Sequence, residues 1–337
     1  MIARTVAACL VSILVSRASP AGADCSPVDR FTATEQAARV VFGRVVHLRQ
    51  GGATFAAMQT LKGPRFPVRI ELTYNPLAGI SLVERERYLL SLGPNGAVLG
   101  GCGPRALRDN EESGLAVDAM KTWLSASDVV TRAAFLVRLG TRGVDLIALD
   151  ALVYLAGRPI LLAAITPAQR DELIAAIPTS RDERAYALSF ILGRLHAVAS
   201  LPAWIAWLGQ RQPGANARPI QDALELMTNH HDPAYGVGRD FDAEKGAVLR
   251  AGWSRWLAAH GKEPLSRALT AGFSERVQRA IGLDDVVELA EVFSHSTDPL
   301  TRLVVLNACE LINKRATSVI GQASATLDAN AVEACAR

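Results

Sequence analysis

Sequence motifs that mark common enzyme sites are missing from this chain of 337 residues. It has no phosphate-binding loop, no GxGxxG after a strand, no HExxH metal motif and no GxSxG nucleophile elbow. Like charges never run for five or six residues, and 36 lysines and arginines face 33 aspartates and glutamates, a difference of only three. The composition therefore excludes an electrostatic argument for a nucleic acid or an anionic membrane as partner, and we predict neither a catalytic residue nor a cofactor.

Long hydrophobic runs are also scarce, and the one near the start is short. Met1–Arg4 carry one positive charge, residues 7–15 are apolar, and Ala21-Gly22-Ala23 has the small-x-small pattern that signal peptidase accepts. We therefore predict that residues 1–23 are a signal peptide and that the mature chain is secreted or periplasmic. Asp24 disrupts the pattern needed for a lipid-modified cysteine, so we expect a soluble mature protein. No later stretch predicts a transmembrane helix.

Cysteine is rare, and one of the five, Cys9, lies in the predicted leader. An even number in an oxidising compartment favours two disulfides, and three pairings are possible. We favour the disulfides Cys25–Cys102 and Cys309–Cys335, because each of these pairs falls within one compositional half of the chain. Buried free thiols are the alternative. No CxxC or Cys/His ligand spacing predicts a structural zinc site.

The first part of the mature chain has the pattern of a small β domain. Residues 68–74 alternate cleanly, with Val68, Ile70, Leu72 and Tyr74 on one face. Gly43 lies inside a β-branched run, where an isolated glycine indicates a bulge or a bend. Glycine- and proline-rich turns separate five predicted strands, which is typical of a small antiparallel barrel or sandwich; the strands are 39–48, 53–61, 68–74, 88–92 and 98–101.

After residue 114 the apolar period changes to about 3.6, which predicts helices. Thr166-Pro167, Ser180–Glu183 and Thr297–Pro299 carry helix-start signals. The predicted helices are 115–124, 127–139, 144–156, 167–176, 181–196, 201–208, 219–227, 244–260, 274–281, 285–293, 299–313 and a last one ending near 335. Residues 128–139 and 298–309 resemble HEAT-type repeats in their Asp-then-TRAA or TRLVV openings, which implies a helical-repeat domain; an irregular helical array is the alternative.

The strand half carries an ordered set of short motifs, VFGRV at 41–45, LKG at 61–63, YLLSL at 88–92 and Cys102-Gly103. Together with Cys25 they resemble the netrin-like modules, whose inhibitor branch is the tissue inhibitors of metalloproteinases. The resemblance implies a five-stranded OB-type barrel with the leading cysteine tied to a later one. We therefore predict an α+β protein of two domains, an OB-like barrel over 24–108 and an all-α helical-repeat domain over 114–337.

One polar cluster is a candidate metal site. His230, His231 and Asp232 precede a loop that contains Asp242, and a loop fold would allow His231, Asp232 and Asp242 to meet. Adjacent histidines rarely point at one ion, since useful spacings on a helix are three or four. A polar loop between helices is therefore the favoured interpretation. The tryptophan pairs 204/207 and 253/256 share helical faces, which favours packing between helices over a glycan or peptide platform.

These observations favour a non-catalytic interaction protein, in which the helical array and the barrel contact a protein or peptide partner of the cell envelope. The alternative is a metalloprotease inhibitor that uses the barrel. In the inhibitor branch the free amino group of the leading cysteine chelates the target's zinc, but the predicted cut leaves Asp24 in front of Cys25. A metal-dependent hydrolase built on His231 and Asp232 is the least favoured class.

Overall fold

The computed structural model describes two compact groups of residues in an α+β fold. Described residues up to Tyr154 belong to one unit and those from Leu155 onward to the other. The described residues are 29–65, 68–74, 82–99, 106–107, 110–143, 145–210, 218–231, 243–263, 268, 271–272 and 274–275. The predicted leader and the four retained cysteines lie outside these ranges, so the signal peptide and both disulfides stay predictions.

All five predicted strands are present in the first unit, within one or two residues of their predicted ends. The period-2 pattern located them because each strand has one face on the core and one toward solvent. The strands are β1 (Arg39–Arg49), β2 (Gly52–Lys62), β3 (Arg69–Thr73), β4 (Arg87–Leu92) and β5 (Val98–Leu99).

The strands form one antiparallel sheet in the order β3-β2-β1-β4-β5. An isolated parallel bridge joins Thr73, at the end of β3, to Ala97, just before β5. The Thr73 amide donates to the carbonyl of Gly96 at 3.3 Å. The two outer strands of the sheet therefore approach each other, and the sheet curls into half a barrel.

Three irregularities in the β1–β2 register supply this curl. On β2 the extra residues are Leu61 and Met58, and on β1 the extra residue is Val46. Each β-bulge adds local twist and bends its strand. A side-chain Cβ at Gly43 would lie 2.1 Å from the carbonyl oxygen of Ala56, so only glycine lets β1 and β2 approach at the second irregularity. The bulge or bend predicted at Gly43 is confirmed.

The inner face of the sheet packs as one apolar core. Val41, Val45, Phe55, Leu72 and Leu90 all have no measurable exposure. The alternation predicted for β3 is confirmed for Ile70 and Leu72, but Val68 at its start is 78% exposed because the ladder begins one residue later. Tyr88 is completely buried, and its hydroxyl accepts a hydrogen bond from the Val83 amide at 2.9 Å. Burial raises the pKa of Tyr88.

Helices complete the first unit: α1 (Arg30–Gln36), α2 (Asn110–Ser125), α3 (Val129–Arg142) and α4 (Asp145–Ala156, of which residues up to Tyr154 belong here). The rings of Phe31, Trp123 and Tyr154 pack together with centroids 5.0–5.7 Å apart. The Tyr154 hydroxyl donates to a Glu35 carboxylate oxygen at 2.5 Å. These contacts join α1, α2 and α4. The compact unit reaches Tyr154, beyond the domain boundary predicted at 108–114, and that boundary stays a prediction.

The second unit contains only helices among its described residues. They are α5 (Pro159–Ala163), α6 (Pro167–Ala175), α7 (Asp182–Arg194), a 3-10 turn (Val198–Ser200), α8 (Leu201–Gly209), α9 (Arg218–Thr228) and α10 (Ala243–His260). Helix α7 packs on α9, and α8 packs on α10. A Cβ at Gly193 would lie 2.9 Å from the Ala223 carbonyl oxygen, so glycine permits the close approach of α7 and α9.

The predicted helix starts have different outcomes. At α6 the Thr166 hydroxyl accepts from the Gln169 amide at 3.3 Å, while the Gln169 side chain accepts from the Thr166 amide at 2.8 Å; the predicted cap before Pro167 is confirmed. The capping box predicted at Ser180 is wrong, because the N-cap of α7 is Arg181, whose side chain makes no capping hydrogen bond to the helix. The Ser180 hydroxyl instead donates to the Ala176 carbonyl at 2.7 Å. The start at residues 297–299 lies outside the described residues.

No helix within the described part of the chain combines the length and apolar character needed to cross a bilayer.

Candidate functional site

A row of arginines crosses the outer face of the half-barrel. Arg44 on β1 is the direct partner of Arg87 on β4. On its other side Arg44 pairs with Ala56 on β2, and Ala56 pairs with Arg69 on β3. Directly paired residues of an antiparallel sheet point to the same face. We call Arg69, Arg44 and Arg87 the arginine row; it spans four adjacent strands, with the small side chain of Ala56 as the gap.

Two arginines of the row have no carboxylate partner among the described residues. Arg44 and Arg69 are exposed, and neither has a carboxylate of these residues within 4 Å. Glu71, on the same strand as Arg69, binds Arg49 at 2.8 Å, and Glu84 lies 3.3 Å from the His47 ring; Glu86, which precedes Arg87 in the chain, is exposed. Strand spacing of about 4.8 Å places the Arg44 and Arg69 backbones roughly 10 Å apart.

The register makes this row locally unfavourable. Like charges directly opposite each other in an antiparallel pair destabilise the sheet by up to about 1 kcal/mol. Arg44 and Arg87 have this arrangement. Arg87 is half-buried and has contacts of its own, whereas Arg44 extends toward solvent. A local arrangement that opposes folding is typical of positions retained for binding.

Apolar side chains border the row. Met58 is 61% exposed and Val46 is 43% exposed, and both are the extra residues of bulges. Phe42, two residues before Arg44 on β1, is half-buried. Bulges often redirect side chains next to binding sites, and methionine adapts its shape to varied partners. The outer face thus combines the exposed guanidinium groups of Arg44 and Arg69 with accessible apolar surface. This arrangement suits a ligand that carries negative charge together with apolar side chains.

The second candidate site is a buried carboxylate in the helical unit. Glu225 on α9 is 2% exposed. One of its oxygens accepts from the Gln221 side-chain amide at 3.3 Å and lies 2.9 Å from His231 Nδ1. Trp253 on α10 donates its indole N–H to the Gln221 side-chain oxygen at 2.8 Å. Buried charges persist when they are paired and hydrogen-bonded, and this chain of contacts stabilises Glu225.

The adjacent histidine points to a different carboxylate. His230 Nδ1 lies 2.5 Å from a Glu275 oxygen, and the other Glu275 oxygen lies 3.6 Å from His260 Nε2. The His230 ring stacks on Trp256, with centroids 6.0 Å apart and planes at 27°. His260 Nδ1 in turn lies 3.1 Å from Glu263. These contacts therefore form a chain in which histidines and glutamates alternate, from His230 through Glu275 and His260 to Glu263. The four side chains do not converge on one common position.

This geometry bears on the candidate metal site. His230 and His231 contact separate carboxylates, in agreement with the expectation that adjacent histidines do not share an ion. No group of three possible metal ligands converges within the described part of the chain. Of the three candidate ligands only His231 is described, and it pairs with Glu225; Asp232 and Asp242 lie outside the described residues. A polar loop between helices therefore remains the favoured interpretation of this cluster.

The four tryptophans of the 204/207 and 253/256 pairs are core residues. Trp204 and Trp253 have no measurable exposure, and Trp207 and Trp256 are each 4% exposed. The predicted packing role is confirmed, and the alternative of an exposed aromatic platform is wrong.

Sequence reasoning missed the arginine row. Arg44, Arg69 and Arg87 are far apart in the chain and occur in no charge run. The available signal was that Arg44 and Arg69 stand at outward positions of predicted strands and Arg87 directly precedes one, but only the strand register shows that they meet. No protein-family model, no curated protein and no solved structure matches this chain.

Proposed function

We propose that this chain is an exported, non-catalytic interaction protein that binds a protein or peptide partner through the outer face of its β unit. The single observation that carries the proposal is the arginine row with its exposed apolar border. Cross-strand pairs of opposite charge stabilise a sheet and like charges directly opposite each other destabilise it, and Arg44 lies opposite Arg87. Here, within the described residues, Arg44 and Arg69 are left without carboxylate partners beside an exposed Met58.

We further infer that the β unit is an OB-like barrel of the netrin-like kind. The strand order, with β1 between β2 and β4, and the parallel bridge between Thr73 and Ala97 support this assignment. OB-type barrels bind ligands on an outer sheet face and adjoining loops. The packing of each helix on the next but one, α7 on α9 and α8 on α10, supports a stacked array for the helical unit. We propose a secreted or periplasmic location because of the leader-like start of the sequence.

The test is affinity capture from the exported fraction of the producing cells, with three versions of the full chain as bait. Wild type, Met58→Glu and Val130→Glu are compared by quantitative mass spectrometry. Val130 is a matched control, since it is 59% exposed on α3 and lies outside the sheet. We expect one defined protein to be enriched by wild type and by the control and reduced with Met58→Glu. Equal enrichment by all three baits would contradict the proposed surface.

The inhibitor alternative is separated by the mature N-terminus. Chelation of a target's zinc through Cys25 requires a free amino group on that residue, and a peptide-bonded nitrogen is a poor metal ligand. We expect N-terminal sequencing of the exported protein to begin at Asp24. A sequence beginning at Cys25 would favour the inhibitor.

A further inference from the structure

The chemistry of the outer sheet face points to the kind of segment that occupies it. We infer that the arginine row binds an extended acidic peptide segment with carboxylates at positions i and i+2 and apolar side chains beyond them on the same face of the segment. This inference rests on the proposed function, because it names the ligand class of the surface proposed above.

The charges determine the first half of the inference. Arg44 and Arg69 lie on the same face of the sheet, two strands apart, and neither has a carboxylate partner among the described residues. A guanidinium group presents a rigid fork of donors that matches a carboxylate in two parallel hydrogen bonds. A negative group bound at Arg44 also offsets the like charge of Arg87 directly opposite it. The Arg44 and Arg69 pair therefore suits a ligand with two negative groups, spaced by roughly the 10 Å that separate two strands.

The spacing fits an extended chain. Side chains on one face of a β-strand recur about every 6.8 Å, and the flexible arms of two arginines cover the remaining difference. Two carboxylates at positions i and i+2 of an extended peptide that crosses the strands reach both guanidinium groups. The intervening side chain points to the opposite side and contributes nothing to this contact.

The apolar border determines the second half. Met58 and Val46 are 61% and 43% exposed, although large apolar residues favour burial. Inorganic phosphate or a sulfated sugar has no apolar group that would cover them. A peptide with leucine or valine beyond its carboxylates buries this surface while its acids bind the row. The mixture of cations and apolar side chains thus favours a peptide over a simple polyanion.

The decisive experiment measures fluorescence anisotropy with the full mature chain and three labelled probes. One is the octapeptide Ser-Leu-Ser-Glu-Ser-Glu-Ser-Leu (the Glu–Leu peptide), whose Glu and Leu side chains share one face of an extended chain. The second has Gln in place of Glu (the Gln–Leu peptide), and the third has Lys in place of Glu (the Lys–Leu peptide). Unlabelled pyrophosphate and heparin serve as competitors. The variants are Arg44→Gln/Arg69→Gln, the charge reversal Arg44→Glu/Arg69→Glu, and Arg138→Gln as the control, because Arg138 is also exposed but lies on α3, outside the sheet.

We expect the Glu–Leu peptide to bind wild type and the control equally, and the Gln–Leu peptide to bind both about 3- to 30-fold more weakly. The double glutamine variant should bind the Glu–Leu peptide about 3- to 30-fold more weakly, the loss of two exposed charge pairs. The reversed variant should gain affinity for the Lys–Leu peptide. Circular dichroism checks that each variant is folded. If removal of the positive charges weakens the sheet itself, the affinity of the charge-reversed variant for the Lys–Leu peptide still tests the inference.

Two outcomes would overturn the inference. Unchanged binding of the Glu–Leu peptide to the double glutamine variant would exclude the row as its site. Displacement of the peptide by pyrophosphate or heparin at lower concentration than by unlabelled peptide would assign the row to a polyanion. Capture of a partner that depends on Met58, combined with no binding of any acidic peptide, would refute this inference and leave the proposed function intact. Absence of both would refute the two together.

Discussion

Replacement of Gly43 by alanine tests the closest approach in the β unit. The added Cβ would lie 2.1 Å from the Ala56 carbonyl oxygen and 2.7 Å from Cε1 of Phe55. A carbon in contact with a carbonyl oxygen normally lies about 3.3 Å or more away, so β1 and β2 must separate by about 1.2 Å, the difference between 3.3 and 2.1 Å. Overpacking costs about 1–3 kcal/mol, and each ladder hydrogen bond lost adds about 1 kcal/mol. With one such bond lost, we therefore expect the free energy of unfolding to fall by about 2–4 kcal/mol.

The assay is urea-induced unfolding of the purified chain, followed by circular dichroism. Gly114→Ala is the matched control: Gly114 is exposed in the interior of α2, and a Cβ there would meet nothing within 4 Å. That change should stabilise the protein by about 0.5–1 kcal/mol, because alanine favours a helix interior. A free energy of unfolding for Gly43→Ala within about 0.5 kcal/mol of the wild-type value would refute the packing described for β1 and β2, provided that Gly114→Ala behaves as expected.

Three further predictions follow from particular contacts. Trp207→Phe should destabilise the helical unit by about 1 kcal/mol more than Trp204→Phe. The indole N–H of Trp207 donates to the Ser180 carbonyl at 3.1 Å, whereas that of Trp204 has no hydrogen-bond partner within the described residues. Equal losses of stability in thermal unfolding would contradict this prediction. The hydrogen bond from the Thr131 amide, followed by that from the Thr131 hydroxyl, lowers the pKa of Asp128, the N-cap of α3, so its charged form adds stability above pH of about 4 that is lost as pH falls through the lowered pKa. The stability difference between wild type and Asp128→Asn should accordingly shrink with acidification, and a constant difference would refute the capping role. Calorimetric titration with zinc chloride should show no stoichiometric binding; one equivalent bound by wild type and lost in His231→Ala would restore the metal hypothesis.

The strands could be predicted from the sequence because the half-barrel has one dry face. Ile70 and Leu72 alternate with exposed Arg69 and Glu71, and the period of two is visible without any tertiary information. The predicted bulge at Gly43 was also local, since an isolated glycine in a β-branched run usually marks a bulge or a close backbone approach. Gly63 has a φ of +86°, as the LKG turn after β2 predicts.

Two short helices could not be found in the same way. Helix α1 has seven residues and contains two threonines, which disfavour helix. Its signal was the cap: Asp29 accepts from the Thr32 amide at 2.8 Å. Helix α5 has only five residues, too few for an apolar period to be visible. Both are stabilised by tertiary burial of side chains such as Phe31 and Leu161.

The two candidate sites could be predicted from the sequence to different extents. His230 and His231 were visible as a polar cluster, but their separate partners Glu275 and Glu225 depend on how α9 and the following helices pack. The arginine row depends on register, because a slip of one residue would turn Arg44 toward the core. Bulges at Met58 and Val46 set that register, and their positions are a property of the folded sheet.

Site-specific photo-crosslinking in the producing cells tests the central claim most directly. A photoreactive amino acid replaces Met58 in one version of the full chain and Val130 in the other; the two side chains are 61% and 59% exposed. The account predicts a covalent adduct with one identifiable protein from position 58 and none from position 130, and loss of the adduct when Arg44 and Arg69 are both glutamine. Adducts of equal yield from both positions, or an adduct at position 58 that persists without the two arginines, would contradict it.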